Sequence, residues 1–153
     1  MRQAIDQRLL LAQDVARAKW NAKAAIEDLP REEVVIAAAV RQGAALGLPE
    51  AWTRSVFRAQ IEASKTVQRA LYARWQADGA GRFDDAPDLA KTIRPELDRL
   101  TTQLLRAMAD NQALLHDRER AGDIAAAMRG LQARAVNEAA AEQAVAPFLV
   151  SVD

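Results

Sequence analysis

The stretch "KWNAKAAIEDLPREE", residues 19–33, decides how this chain is read. It begins as the tail of one amphipathic helix, crosses a short polar joint and starts another. Asp28 is suited to an N-cap, and Pro30 falls in the first turn of the following helix, where its missing N–H leaves no hydrogen bond unmade. The joint also sets Lys19, Asp28, Arg31 and Glu32 close to one helix-helix corner. That corner is either a solvated connection or the rim of a site for something negatively charged.

Working outward, the pattern stays helical, with no convincing period-two alternation. Towards the N-terminus, Ile5, Leu9, Ala12, Val15, Ala16 and Trp20 mark one face of a first helix expected over about residues 3–24. The second helix is expected to run to Leu46, with Gly47 as its C′ residue. Pro49 opens the third and longest, reaching about Ala77. "DGAGRFDDAPD", residues 78–88, is the clearest loop, and Asp88 is placed to cap a fourth helix from about Leu89 to Leu115. Residues 118–147 are expected to form one or two alanine-rich helices, with Gly122 and Gly130 as weak points. With no repeat and no low-complexity linker, the expectation is an all-α, single-domain bundle of about five to six helices over residues 1–153.

The totals narrow the function classes. Lys and Arg number 21, as do Asp and Glu, so no net field draws in nucleic acid or an anionic membrane. No apolar run approaches the ~20 residues that span a bilayer, and "MRQAID" lacks the apolar core of a signal peptide. Without cysteine there is no disulfide, thiolate chemistry or cysteine metal site. The single histidine, His116, reads as a structural residue rather than part of a metal site or triad. The expectation is therefore no metal, no cofactor, no nucleic acid and no membrane.

The informative residues are polar ones on stripes that should be apolar. Phe57, Ile61, Ser64, Gln68, Leu71 and Trp75 share one face of the third helix, so Ser64 and Gln68 interrupt it side by side. A buried amide without partners costs ~1–3 kcal/mol, so something must satisfy them. In the fourth helix Arg94 lies one turn before Leu97 on the stripe formed by Leu97, Leu100, Leu104 and Met108. Arg8 and Lys19, eleven residues apart, project from one side of the first helix about 16 Å apart, a separation that brackets a small dianion. Singly, Arg8 or Lys19 reads as a snorkelling side chain, Asp28 as a cap, and Arg31 and Glu32 as first-turn surface residues. Their conjunction across four helices points to an internal anion-binding site.

These residues carry a resemblance. "RLLLAQDVARAKW", "IEDLPRE" and "QIEASKTVQ", with "RPELDRL" as a weaker fourth element, resemble the all-helical chorismate mutases, most closely their secreted subclass. The likeness covers about residues 5–100. It implies an isomerase that rearranges chorismate to prephenate, a [3,3] pericyclic shift needing no cofactor, metal or nucleophile. By resemblance, Arg8, Arg31 and Arg94 bind the carboxylates, and Lys19 and Gln68 donate to the breaking ether oxygen. Asp28 and Glu32 bind the hydroxyl or orient the cations, and Ser64 supports a carboxylate contact. The subclass implies a pocket completed within one chain by Arg94, a homodimer, and a periplasmic or secreted enzyme whose signal segment has been removed. Secreted relatives often carry a C-terminal disulfide, which this chain lacks. Alternatives are an isochorismate pyruvate lyase on the same scaffold and a non-catalytic helical interaction protein.

Overall fold

The computed structural model describes residues 1–115, 117 and 121–149, so His116 lies outside the described residues. Seven α-helices occur among them: α1 (Arg2–Asn21), α2 (Leu29–Ala44), α3 (Glu50–Ala77), α4 (Arg94–Asp110), α5 (Gln112–Leu115), α6 (Ala121–Arg129) and α7 (Glu138–Val145). No strand occurs among the described residues, and none of the helices is long and apolar enough to cross a membrane. The all-α expectation holds, with one or two more helices than the sequence suggested.

α3 is the spine. It packs against α1 and α2 on one side and α7 on the other, while α4 closes over α1 and α2. The core where these helices meet includes Ile5, Leu9, Val56, Phe57, Leu104, Leu105 and Met108, all at most 2% exposed. Gly43 of α2 permits a close approach: a Cβ there would lie 3.0 Å from Thr53 Cγ2 and 3.4 Å from Leu105 Cδ2.

Several expected ends are observed. Asp28 caps α2, its carboxylate accepting the Arg31 N–H at 3.2 Å. Glu32 returns the favour by accepting the Asp28 N–H at 3.2 Å, a reciprocal cap that fixes the chain's entry into α2. α2 ends at Ala44, two residues before the expected Leu46, but Gly47 turns the chain as expected: it has φ +78°, and the N–H of Leu48 bonds back to Gly43 O at 3.0 Å, closing a Schellman turn.

Two expectations are corrected. α1 stops at Asn21, not near residue 24, because Lys23 adopts φ +53°. Its N–H bonds to Trp20 O at 3.0 Å and that of Ala24 to Lys19 O at 2.9 Å, a Schellman turn built without glycine. The fourth helical segment is not continuous from Leu89 to Leu115. It opens with a π-helical turn, Leu89–Ile93, and breaks after Asp110, where Asn111 bonds its side chain back to Ala107 O at 2.8 Å. The π-turn has a local cause. Pro95 has no N–H for the carbonyl four residues back and its ring crowds that position, so a wider turn precedes it.

The C-terminal segment covers the α3 face away from α2. Ala140, Ala141 and Ala144 of α7 are buried, Trp52 donates to Pro147 O at 3.2 Å, and its ring meets Phe148 edge-on at 6.0 Å. Asp6 of α1 accepts the N–H groups of Gln132 and Ala133, anchoring the 3₁₀ turn Gln132–Ala135. At the opposite end of α1, the 78–88 loop is fastened by paired hydrogen bonds between Asn21 and Phe83 at 2.7 and 2.8 Å. Trp75 and Phe83 pack there with centroids 4.6 Å apart, and Arg17 pairs with Asp85.

Candidate active site

α1, α2, α3, the π-turn and the start of α4 enclose a cavity of about 160 Å³. A water needs roughly 10–15 Å³ on this measure, so there is room for a compact organic molecule. All eight residues singled out in the sequence line it: Arg8 and Lys19 from α1, Asp28, Arg31 and Glu32 around the start of α2, Ser64 and Gln68 from α3, and Arg94 from the start of α4. Its lining carries five cationic side chains (Arg8, Lys19, Arg31, Lys65, Arg94) against three anionic ones (Asp28, Glu32, Asp98).

Each cation is held differently. Arg8 is 8% exposed, lies over the Phe57 ring at 5.4 Å, and donates to Thr101 Oγ1 at 2.7 Å and Leu97 O at 3.1 Å. Burial lowers its pKa to about 10, with Asp98 opposing the drop, so the guanidinium stays charged at neutral pH. Lys19 donates to Ile26 O at 2.6 Å, which ties the end of α1 to the joint before α2. Desolvation lowers its pKa below the ordinary lysine range, while the charges of Asp28, Glu32 and Glu27 pull it back up. Arg31 reaches the site because the Asp28 cap fixes its backbone. Arg94 is delivered by the π-turn, its N–H bonding to Leu89 O. No carboxylate pairs with Arg31 or Arg94 among the described residues.

Ser64 and Gln68 satisfy one another in part. Gln68 is 3% exposed and its Nε2 lies 3.1 Å from Ser64 Oγ, leaving Oε1 buried without a partner among the described residues. Turning the amide over lets the Ser64 hydroxyl donate to Oε1 and puts Nε2 in the unpartnered position. Either way, one end of this buried amide has no partner among the described residues.

Sequence reasoning missed Lys65, Gln60 and Thr101. Lys65 sits off the apolar stripe and reads as an ordinary surface charge, yet it is 5% exposed and bonded to Glu32 at 3.0 Å and Glu62 at 2.6 Å. Gln60, one turn before Ser64, was the most accessible signal. It lines the cavity and donates to Ala144 O of α7 at 2.8 Å. Thr101 gives no sequence signal, since a threonine mid-helix commonly bonds its own backbone, as this one does to Leu97 O at 2.8 Å.

Comparison with known proteins points one way. The family profile described as chorismate mutase type II matches residues 1–69. The secreted chorismate mutase of Mycolicibacterium smegmatis is 34% identical over 133 residues, 83% of this chain and 73% of that one. Among solved structures, the chorismate mutase from Burkholderia thailandensis superposes with a TM-score of 0.87 at 33% identity, covering 96% of this chain and 95% of that one. The secreted chorismate mutase from Yersinia pestis gives 0.79 at 27%, covering 96% and 93%.

Proposed function

We propose that this chain, which belongs to the chorismate mutase family of isomerases, binds chorismate in its cavity in a compact conformer and rearranges it to prephenate within one chain. The observation that carries this reading is the lining itself, where positive side chains exceed negative ones by two around a space sized for one small molecule. Chorismate is a dianion. Arg8, Arg31 and Arg94 hold its two carboxylates, a task for which the planar guanidinium fork suits better than an ammonium. Ser64 supports one of these contacts, and Asp28 and Glu32 orient the neighbouring cations and meet the hydroxyl group.

The chemistry is unimolecular. The ether carbon–oxygen bond breaks as the new carbon–carbon bond forms, and no proton or electron is gained or lost. The protein contributes by fixing the reactive conformer, which removes an entropic part of the barrier. It also presents donors where charge grows. Lys19 and Gln68 donate to the ether oxygen, Gln68 through the Nε2 orientation that Ser64 supports from behind. Desolvation strengthens the Lys19 contribution, because the same charge acts more strongly in a drier site.

The M. smegmatis and Y. pestis relatives are named secreted enzymes, which supports export of this one. The periplasm is the compartment we assign, and a homodimer the assembly, to be read by cell fractionation and by light scattering. The reaction is tested by following chorismate consumption with the purified protein and identifying the product. Prephenate is expected. Pyruvate released from isochorismate would instead assign a lyase, and no turnover with either would reject the reading.

A further inference from the structure

We infer that Lys65 is a positioning residue of this site: by neutralising Glu32 it keeps that carboxylate from competing with the substrate for the cavity's cations. The inference rests on the reading of the cavity as a chorismate site. Lys65 is buried in the wall formed by α3, its Nζ 3.0 Å from Glu32 Oε2 and 2.6 Å from Glu62 Oε1. Burial works to lower its pKa, but the hydrogen bonds with Glu62 and Glu32 outweigh it and hold the ammonium above the ordinary lysine range. A cation already shared by two carboxylates is poorly placed to bind a third, so its influence on the substrate passes through its partners.

The two partners differ. The Glu62 side chain is 37% exposed and turns to water if Lys65 is lost. The Glu32 side chain is 16% exposed, lines the cavity, and is held there by the Asp28 N–H at 3.2 Å. Stripped of Lys65, it is an uncompensated, largely buried carboxylate, a state proteins relieve by finding another cation. Two cations that line the same cavity, Lys19 and Arg31, are the substrate ligands proposed above. Lys19 already feels the charge of Glu32, and Arg31 has no carboxylate partner of its own among the described residues. Lys65 thus ties α2 to α3 through Glu32, and leaves Lys19 and Arg31 available to an incoming dianion.

The test is a double-mutant cycle on the whole protein with chorismate as substrate. Lys65→Met keeps most of the buried stem and is expected to raise KM about tenfold or more while kcat changes by less than about threefold, as expected for a loss of ground-state binding. Glu32→Gln alone, which keeps a hydrogen-bonding side chain for the substrate hydroxyl, is the reference, and adding Lys65→Met to it is expected to raise KM far less than Lys65→Met does in the wild type, because the competing charge is gone. Lys65→Arg, which keeps the charge, stays close to the wild-type KM and covers the case in which Lys65→Met does not fold. A structural role alone would lower thermal stability without rescue by the second substitution. If Lys65→Met binds chorismate as the wild type does, or if the two losses simply multiply, Lys65 has no such role. Failure of the wild-type protein to turn over chorismate would instead defeat the underlying reading.

Discussion

The two sides of α3 solve different problems with the same helix. Towards α1 and α2 it presents Ser64, Lys65 and Gln68, of which Lys65 and Gln68 are buried. Towards α7 it meets a run of buried alanines and the Trp52–Phe148 contact. The second side is what a helix face gains from burial alone. The first retains the buried amide oxygen of Gln68, without a partner among the described residues, and a lysine enclosed between carboxylates, both of which cost free energy to bury. We read the costly side as the one that takes the ligand.

If that division is right, substitutions on the two sides separate activity from stability. The largest effect is expected for Lys19→Ala, which removes a donor to the developing charge. The loss in kcat should be about 10²–10³-fold, by analogy with the removal of one oxyanion donor, with the melting temperature little changed. Next comes Arg94→Ala. Losing a hydrogen bond to a charged group removes ~1.5–3 kcal/mol of binding, so KM should rise about 10–100-fold. On the other side, Ala141→Leu overpacks a fully buried position of α7. It should cost about 1–3 kcal/mol of stability, read as a lower melting temperature, with kcat near the wild-type value. A smaller loss of stability than that of Ala141→Leu is expected for Asp28→Ala, whose lost cap is worth ~1 kcal/mol. Because the cap also fixes Arg31, KM should rise in the same variant. Equal effects of Ala141→Leu and Lys19→Ala on kcat would erase the distinction between the two sides.

How much of this could be read from the sequence depended on whether position or partner determined each feature. The cap at Asp28 and the turns at Gly47 and Pro49 were legible because those residue types are selected by local backbone geometry. All eight anticipated site residues line the cavity: helical spacing set the direction of Arg8, Lys19, Ser64, Gln68 and Arg94, and the joint before α2 placed Asp28, Arg31 and Glu32. The end of α1 was not legible, since a lysine rather than a glycine takes the positive φ. The π-turn that delivers Arg94 was hidden by Pro95, which reads equally well as an ordinary first-turn proline. Lys65 was missed because its burial follows from Glu32 and Glu62, and only Glu62 is near it in sequence. Past residue 115, alanine fits both a buried and an exposed face, so the docking of α7 left little trace.

The central claim is that Gln68 acts as a donor at the reacting oxygen, and the pH–rate profile of Gln68→Glu beside the wild type tests it most directly. An amide donates at any pH, so the wild-type kcat should stay nearly flat from about pH 5 to 8. Any decline should come at alkaline pH, as Lys19, whose pKa is lowered by desolvation, loses its proton. A carboxyl at position 68 donates only when protonated, so the variant should be most active at low pH and lose rate as pH rises through the carboxyl pKa. Two profiles of the same shape, with similar kcat at neutral pH, would show that the side chain at position 68 does not donate to the transition state.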